Sequence, residues 1–269
     1  MKKIIVLFST YNRPKITAQA IEFFNLRFRQ LANIDVTLCI VDSSTNNDTF
    51  NLVQSCANIK VLFYKVSELY WAQSMSYGYE KIKNEDFDFL LCINDDVFFY
   101  DYFLDNFDYP QNKVIVGNTV DEFGNQSYGL RTLRYHWLPF SPRFLHECRQ
   151  SRLTFNMNCL LVPRAILDEF GFLTEGYIHS IADYDYGLKL FDAGVKIESF
   201  PYFVGLCNRN AAVFENRLRF SETFMRVQVA LSDKYFPRKA WWLYLERNFR
   251  RYRFLYFLVP YVKAALGRL

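Results

Sequence analysis

The feature that most limits the fold of this chain is an alternation, through its first half, of short apolar segments with longer segments of helical periodicity. Five apolar or aromatic segments are predicted to be strands: residues 4–8, 36–41, 60–64, 87–93 and 114–116. Helices are predicted between them over residues 16–28 and 72–82. Strands that are apolar on both faces and are connected by helices belong to parallel sheets covered on both sides. The sequence therefore predicts an α/β fold with a twisted, mostly parallel sheet flanked by helices.

The second half of the chain is less regular. Residues 121–150 contain two glycines and two prolines and are interpreted as an insertion that lines a site. A strand is predicted over 156–162, a helix over 163–170 with Pro163 in its first turn, and a helix over 183–193 that ends at Gly194. We divide the chain into a catalytic domain, residues 1–220, and a helical, basic and aromatic C-terminal segment, residues 221–269.

Composition limits the class of protein. Hydrophobic residues make up 51% of the chain and charged residues 22%, which excludes a disordered protein. The six cysteines are irregularly spaced and never form a C-x-x-C pair, which is typical of reduced thiols in a cytosolic protein. The apolar segment at residues 4–8 is too short for the core of a signal peptide. We therefore expect a cytoplasmic protein, and we expect no nucleic-acid partner.

Polar clusters directly follow the predicted strands, and ligands of open α/β sheets bind beyond the carboxyl ends of the strands. Asp42 ends the second strand, where its carboxylate can accept hydrogen bonds from a base or a ribose. Asn94, Asp95 and Asp96 follow a buried apolar strand. Mn²⁺ and Mg²⁺ prefer oxygen ligands from one or two carboxylates together with substrate phosphates. These clusters predict a site for a nucleoside diphosphate and a divalent cation.

The sequence resembles family 2 glycosyltransferases over roughly residues 2–210. The motifs stand in the order seen in that family: residues 8–13 (Phe-Ser-Thr-Tyr-Asn-Arg), 41–44 (Val-Asp-Ser-Ser), 71–75 (Trp-Ala-Gln-Ser-Met), 94–96 (Asn-Asp-Asp), 171–173 (Gly-Phe-Leu) and 182–189 (Ala-Asp-Tyr-Asp-Tyr-Gly-Leu-Lys). The resemblance implies a GT-A fold and an inverting, metal-dependent transfer, of the hexosyltransferase class, from a nucleoside-diphosphate sugar.

The resemblance also implies roles for residues on the nucleotide side of the site. Thr10, Tyr11 and Arg13 would flank the nucleotide, and Asp42 would hold its base or ribose. Trp71 would form part of the pocket wall, with packing in the core as the alternative.

The metal and catalytic roles follow in the same way. Asn94 and Asp96 occupy the two ends of the family's D-x-D metal motif, with Asp95 between them on the donor side. Asp183 matches the catalytic base, with Asp185 as the alternative base and a plain helix N-cap as the alternative role for Asp183.

The sequence departs from the family pattern around the metal. Asn94 replaces the first aspartate of the motif, and residues 202–210 lack the histidine that many members use as a further ligand. Cys207 and Asn208 are the candidates to replace that histidine. His179 is a further candidate ligand, with an ordinary polar loop residue as the alternative.

The C-terminal segment is strongly basic. Residues 237–269 contain eight Lys or Arg and one Glu. On one continuous helix, a stripe would be formed by Trp242, Leu245, Phe249, Tyr252 and Tyr256, with Arg247, Arg250 and Arg251 largely off it. This pattern predicts an amphipathic helix on an anionic membrane surface, and the alternative is that the stripe packs on the catalytic domain. The apolar run 254–262 is interrupted by Pro260 and is too short to cross a bilayer.

The functional hypothesis is a glycosyltransferase that transfers a sugar from a nucleoside-diphosphate sugar to a glycan or lipid-linked acceptor. The resemblance implies bacterial surface polysaccharide biosynthesis, in the cytoplasm or peripherally at the inner face of the plasma membrane. Two alternatives stay open: a catalytically silent nucleotide-binding scaffold of a glycan-assembly complex, and a nucleotidyltransferase. The latter would have a glycine-rich phosphate loop after the first strand, and residues 9–14 contain no glycine.

Overall fold

The computed structural model describes residues 1–31, 33–105, 107–139, 142–145, 152–179, 181–209, 223–233 and 235–267. The predicted domain boundary between residues 220 and 221 and part of the predicted insertion lie outside these residues.

The described residues form a large mixed sheet and a small antiparallel one. The strands are β1 Lys2–Thr10, β2 Ile34–Asp42, β3 Lys60–Lys65, β4 Phe89–Ile93, β5 Phe98–Phe99, β6 Lys113–Val120, β7 Gln126–Tyr128, β8 Leu130–Thr132, β9 Arg143–Phe144, β10 Leu153–Phe155, β11 Cys159–Pro163 and β12 Lys196–Leu206. The large sheet has the order β3-β2-β1-β4-β11-β6-β12-β5, with β7 paired to β6, and the small sheet has the order β10-β8-β9. Strands β3, β2, β1 and β4 are parallel, β11 is antiparallel to both of its neighbours, and β12 is parallel to β6.

Helices cover both faces of the large sheet. The helices are α1 Pro14–Gln30, α2 Asp48–Cys56, α3 Trp71–Ile82, α4 Arg164–Phe170, α5 Ala182–Asp192, α6 Thr223–Leu231, α7 Arg238–Asn248 and α8 Arg253–Ala265. Alternate side chains of β1 face opposite layers. Val6 belongs to the core that includes Phe24 of α1, whereas Leu7 belongs to the core that includes Met75 of α3. This is why β1 is apolar at successive positions, and the predicted α/β fold class is confirmed.

Each predicted strand and helix of the first half is present, with ends that differ by a few residues. Strand β12 was not predicted. Its sequence is interrupted by Pro201, and its pairing with β6 shifts register between Ser199 and Phe203, which is where a proline is tolerated in a strand. Strand β6 also continues to Val120, beyond the predicted end at residue 116.

The C-terminal segment is helical, as predicted, but it is not one continuous helix. Helix α7 ends at Asn248, the next residue, Phe249, has a non-helical φ of −139°, and a 3₁₀ turn at Arg250–Tyr252 precedes α8. The predicted single stripe is therefore wrong. Leu245 and Tyr256 from that stripe are buried in a cluster that also contains Tyr177 and Leu188 of the sheet domain. Among the described residues, no helix has the length and apolarity needed to cross a membrane.

Candidate active site

A cleft of about 970 Å³ opens beyond the carboxyl ends of β1, β2 and β4. The residues predicted for the site that line this cleft are Thr10, Tyr11, Arg13, Trp71, Asn94, Asp96 and Asp183. Asp42 and Asp95 lie behind its wall, with fully buried side chains. The structure thus brings seven of the nine predicted residues to one cavity.

The turn from β1 into α1 forms one wall of the cleft. Thr10 is buried, and its hydroxyl lies 2.7 Å from that of Thr17. Tyr11 is exposed at the mouth of the cleft. Asn12, with a φ of 51°, receives a hydrogen bond at its Oδ1 from Thr45 N (3.0 Å). These contacts connect the turn to the segment after β2 and hold it in place.

Arg13 connects this turn to the acidic residues after β4. Its Nη2 lies 2.8 Å from Asp95 Oδ1, and its Nη1 lies 3.1 Å from Asp96 Oδ2. Burial raises the pKa of Asp95 to about 6, and the nearby guanidinium of Arg13 opposes that rise. Thr17 Oγ1 also donates to Asp95 Oδ2 at 3.0 Å. Asp95 therefore positions Arg13, whereas Asp96 is the carboxylate that reaches the cleft.

Trp71, the first residue of α3, lies against Asn94. Its Nε1 donates a hydrogen bond to Asn94 Oδ1 at 3.0 Å. A carbonyl oxygen has two lone pairs, so this contact leaves Asn94 Oδ1 able to accept one more partner. Trp71 lines the cleft and also packs against the core, and its hydrogen bond sets the orientation of the Asn94 side chain.

The residues present fit a divalent cation that takes most of its ligands from a bound diphosphate and from water. Within the described ranges, no three His, Cys, Asp or Glu side chains form a metal-binding group. Beside Arg13 and Trp71, the cleft offers the carboxylate of Asp96 and the amide oxygen of Asn94. Mg²⁺ is commonly bound by one or two carboxylates, substrate phosphates and water, so this donor set suits a cation that binds together with a diphosphate.

The structure distinguishes the three candidates for a further ligand. The Sγ of Cys207 lies 3.9 Å from Asp96 Oδ1, and burial raises the pKa of this thiol to about 12. Asn208 Oδ1 instead accepts a hydrogen bond from Glu122 N at 3.0 Å, in a neighbouring turn. His179 lines the cleft beside Trp71, with ring centroids 6.5 Å apart. Of these three residues, Cys207 is therefore the one that contacts Asp96, with its thiol as the donor.

The carboxylate of Asp42 already has partners within the protein. Lys65 Nζ lies 2.9 Å from Asp42 Oδ2, and Ser44 N donates to Asp42 Oδ1 at 2.9 Å. The adjacent Ser43 lines the cleft. A contact between Asp42 and a base or ribose stays a prediction. Ser43 is an additional candidate for contact with the nucleoside, because it lines the cleft.

Asp183 lies in the first turn of α5 and lines the cleft. Its Oδ1 accepts a hydrogen bond from Tyr184 N at 2.9 Å. Burial raises the pKa of Asp183 to about 6, and the N–H groups of Tyr184 and Met157 together with the Asn156 side chain oppose the rise. A carboxyl group with this pKa is largely ionised at neutral pH and is suited to accept a proton.

Asp185 has a different environment, although it is only two residues further along α5. It is buried, and it accepts hydrogen bonds from Arg247 Nε at 3.0 Å, Asn248 Nδ2 at 2.7 Å and Thr174 Oγ1 at 2.8 Å. It is not among the residues that line the cleft. The geometry therefore favours Asp183 over Asp185 as a base, and it shows that α7 is attached to the helix on which Asp183 lies.

Replacing Arg247 with alanine is expected to destabilise the fold. The buried carboxylate of Asp185 would lose a charged donor but keep Asn248 and Thr174, so we expect a loss of about 1–3 kcal/mol in the free energy of unfolding. Urea denaturation followed by circular dichroism measures this loss. Arg250→Ala is the matched control, because Arg250 is exposed and its removal should change stability by less than about 0.5 kcal/mol. Equal stability of the two variants would contradict this role.

Several residues of the cleft lining were not predicted from the sequence, and two examples show why. Asn156, Met157 and Asn158 form the turn between β10 and β11 and line the cavity. The two asparagines beside an apolar strand were a signal of the kind used for Asn94, but these residues were assigned to the strand itself. Tyr235, between α6 and α7, also lines the cavity. No local pattern marks Tyr235, because its position depends on the packing of the C-terminal helices.

Solved structures with the same fold were found, although no protein-family model and no curated protein matches the sequence. S. aureus TarS (residues 1–349) superposes with a TM-score of 0.55 and 14% identity, over 98% of this chain and 81% of that one. The mannosyltransferase PcManGT from Pyrobaculum calidifontis, in complex with GDP-Man and Mn²⁺, gives 0.54 and 12%, over 99% and 73%. The chain has a glycosyltransferase fold. The same TarS fragment in complex with UDP gives 0.51 and 13%, over 95% of this chain and 72% of that one.

Proposed function

We propose that the protein is an inverting, metal-dependent glycosyltransferase of the family 2 type that uses a nucleoside-diphosphate sugar. The observation that supports this most is the composition of the cleft. The guanidinium of Arg13 and the carboxylate of Asp96 lie together in the cleft. A separate carboxyl group, that of Asp183, also lines the cleft and has a raised pKa. Arg13 and Asp96 are suited to bind a diphosphate together with a divalent cation, and Asp183 is suited to accept a proton.

The donor is proposed to bind with its diphosphate beside Arg13, Asn94 and Asp96, and with its nucleoside toward Thr10, Tyr11 and Ser43. Arg13 contributes a positive charge, and its ion pair with the buried Asp95 fixes the position of the guanidinium. Mn²⁺ or Mg²⁺, held by Asp96 and Asn94, would neutralise charge that develops on the diphosphate. The UDP in one structural neighbour, and the GDP-Man and Mn²⁺ in the other, support a nucleotide-sugar donor and a divalent cation as ligands of this fold.

The reaction is a direct displacement at the anomeric carbon. The acceptor hydroxyl oxygen forms a bond to that carbon from the face opposite the diphosphate. The bond from the carbon to the phosphate oxygen breaks, and its electron pair leaves with the nucleoside diphosphate. Asp183 takes the proton of the hydroxyl, so a single base is sufficient. The configuration inverts because the one displacement occurs from the face opposite the leaving group. A positioned base of this kind typically contributes about 10²–10⁴ in rate.

Turnover is expected to decrease as the pH falls through about 6, the raised pKa of Asp183. Only the ionised carboxylate accepts a proton, so the rate should rise with pH and level off above about 7. Steady-state rates at saturating donor, measured between pH 5 and 8, test this. Asp95 has a similar raised pKa, so the pH dependence of the donor dissociation constant is measured in parallel to separate the two groups. A rate that is unchanged down to pH 5 would contradict the assignment of Asp183.

The acceptor is proposed to be a glycan or a lipid-linked glycan, in bacterial surface polysaccharide biosynthesis on the cytoplasmic side of the membrane. Tyr128, Tyr184 and Tyr235 line the cleft together with Asp183. Each combines an apolar ring with a hydroxyl, which suits contact with both the faces and the hydroxyl groups of a sugar.

A panel of nucleotide sugars with Mn²⁺ tests the proposed function. We expect one or a few donors to raise the thermal unfolding temperature, because a ligand that binds the native state stabilises it. The selected donor is then incubated with and without acceptor extracts, and release of the nucleoside diphosphate is measured. Binding without acceptor-dependent release would instead indicate a silent nucleotide-binding scaffold, and release of pyrophosphate from a nucleoside triphosphate would indicate a nucleotidyltransferase.

A further inference from the structure

Helix α8 exposes a row of large apolar side chains on its outer side. The outer α8 face consists of residues that are 54–71% exposed: Phe254, Leu255, Leu258 and Val262 of the helix, and Leu266 directly after it. At 100° per residue, these five positions fall within one sector of about 120°. The inner positions Tyr256, Pro260 and Ala264 are buried. The inner side of α8 therefore already packs on the protein, and the outer α8 face is a second apolar surface.

The neighbouring helix α6 also carries exposed apolar side chains. Helix α6 packs against α8, and Arg226 Nη2 donates to the carbonyl oxygen of Ala265 at 3.0 Å. Phe224 and Met225, the residues before Arg226, are exposed. Single exposed apolar residues are common on soluble proteins, but a grouped apolar surface marks an interaction site.

The charges around the outer α8 face are positive. Arg250 and Arg251 are exposed in the turn that leads into α8, and Lys263 is exposed beside Val262. The one acidic residue of the segment 237–267, Glu246, forms an ion pair with Arg253 at 3.6 Å. A helix with an apolar face and a basic border matches an anionic lipid surface, where the apolar side chains enter the acyl region and the basic ones meet phosphates.

We propose that the outer α8 face docks the protein on an anionic lipid bilayer. A second copy of the chain fits less well, because a twofold interface on this face would bring the same basic residues of both copies together. The docking side differs from the stripe that the sequence predicted, whose Leu245 and Tyr256 face the protein core. Docking does not depend on the proposed reaction. Docking would still matter for the proposed reaction. In the same C-terminal segment, Tyr235 lines the cleft and α7 contacts α5, so docking would hold the cleft near lipid-linked acceptors.

Sedimentation of the full-length protein with vesicles tests the proposal without any activity measurement. Vesicles of phosphatidylglycerol and phosphatidylcholine are compared with phosphatidylcholine alone, at low and at physiological salt. We expect binding to the anionic vesicles, and we expect Leu258→Glu/Val262→Glu to weaken it by about tenfold or more, because two charges would enter the apolar layer. Arg250→Ala/Arg251→Ala should weaken binding mainly to the anionic vesicles.

The matched control is Leu26→Glu/Phe123→Glu, which adds the same charge at exposed apolar positions outside the C-terminal segment. Circular dichroism and thermal unfolding verify that each variant folds. The proposal is overturned if the wild-type protein does not sediment with anionic vesicles at low salt, or if both glutamate pairs bind equally. It is also overturned if light scattering shows a lipid-free dimer that Leu258→Glu/Val262→Glu converts to a monomer, because the face would then belong to a second copy.

Discussion

Asp183→Asn is expected to lower turnover by about 10² or more while the protein still folds and still binds donor. Asparagine has the shape of aspartate and keeps an oxygen that accepts the hydrogen bond from Tyr184 N. It cannot take the proton of the acceptor hydroxyl. Release of nucleoside diphosphate measures turnover, and calorimetric titration measures donor affinity.

The matched control is Glu68→Gln, which removes another carboxylate from the lining of the same cleft. This variant should keep turnover within a few-fold of the wild type. The assignment of Asp183 is wrong if the folded asparagine variant turns over normally. Loss of turnover in Asp185→Asn does not reassign the base unless that variant is as stable as the wild type, because Asp185 anchors Arg247 and Asn248.

Asp96→Asn is expected to abolish stimulation of donor binding by Mn²⁺ or Mg²⁺. Asp96 is the carboxylate beside Asn94 that reaches the cleft, whereas Asp95 lies buried behind Arg13. Removing the negative charge leaves a cation with neutral oxygens from the protein, and turnover should fall as well because charge on the leaving diphosphate is then less well stabilised. Titration of the donor with and without metal measures the effect.

Asp101→Asn serves as the control, since Asp101 is an exposed carboxylate five residues away that does not line the cleft. It should keep the full response to metal. In the wild type, a chelator is expected to stop turnover, and added Mn²⁺ or Mg²⁺ should restore it. Full activity in excess chelator would contradict the metal assignment, and Arg13 would then be the cation that stabilises the diphosphate.

Much of the sheet domain was predictable from local sequence patterns. Strand β1 is apolar at successive positions because its two faces pack on different helices, so the pattern itself indicates a covered, parallel strand. The polar residues after β1 and β4 could be assigned to one site because the carboxyl ends of parallel strands lie at one edge of the sheet. Thr10 and Asp96 illustrate this, since they come from different strands and line the same cleft.

Other features depended on contacts between residues that are far apart in the chain. The sequence could not show whether Asp42 faces a ligand or is held by Lys65, because both arrangements place an aspartate at the end of β2. Strand β12 forms despite Pro201 because β6 offers it a partner with an irregular register. The choice between Asp183 and Asp185 depended on Arg247, 62 residues further along the chain.

The C-terminal segment shows the same division. Its helical character and its basic charge follow from sequence, because helix propensity and charge are local properties. Which of its apolar residues face the protein was decided by tertiary structure. Phe249 interrupts the helix, and this break changes the direction in which every later side chain points. Periodicity along a single helix therefore determined that an apolar face exists, and only packing against α5 and its neighbours decided which face remains exposed.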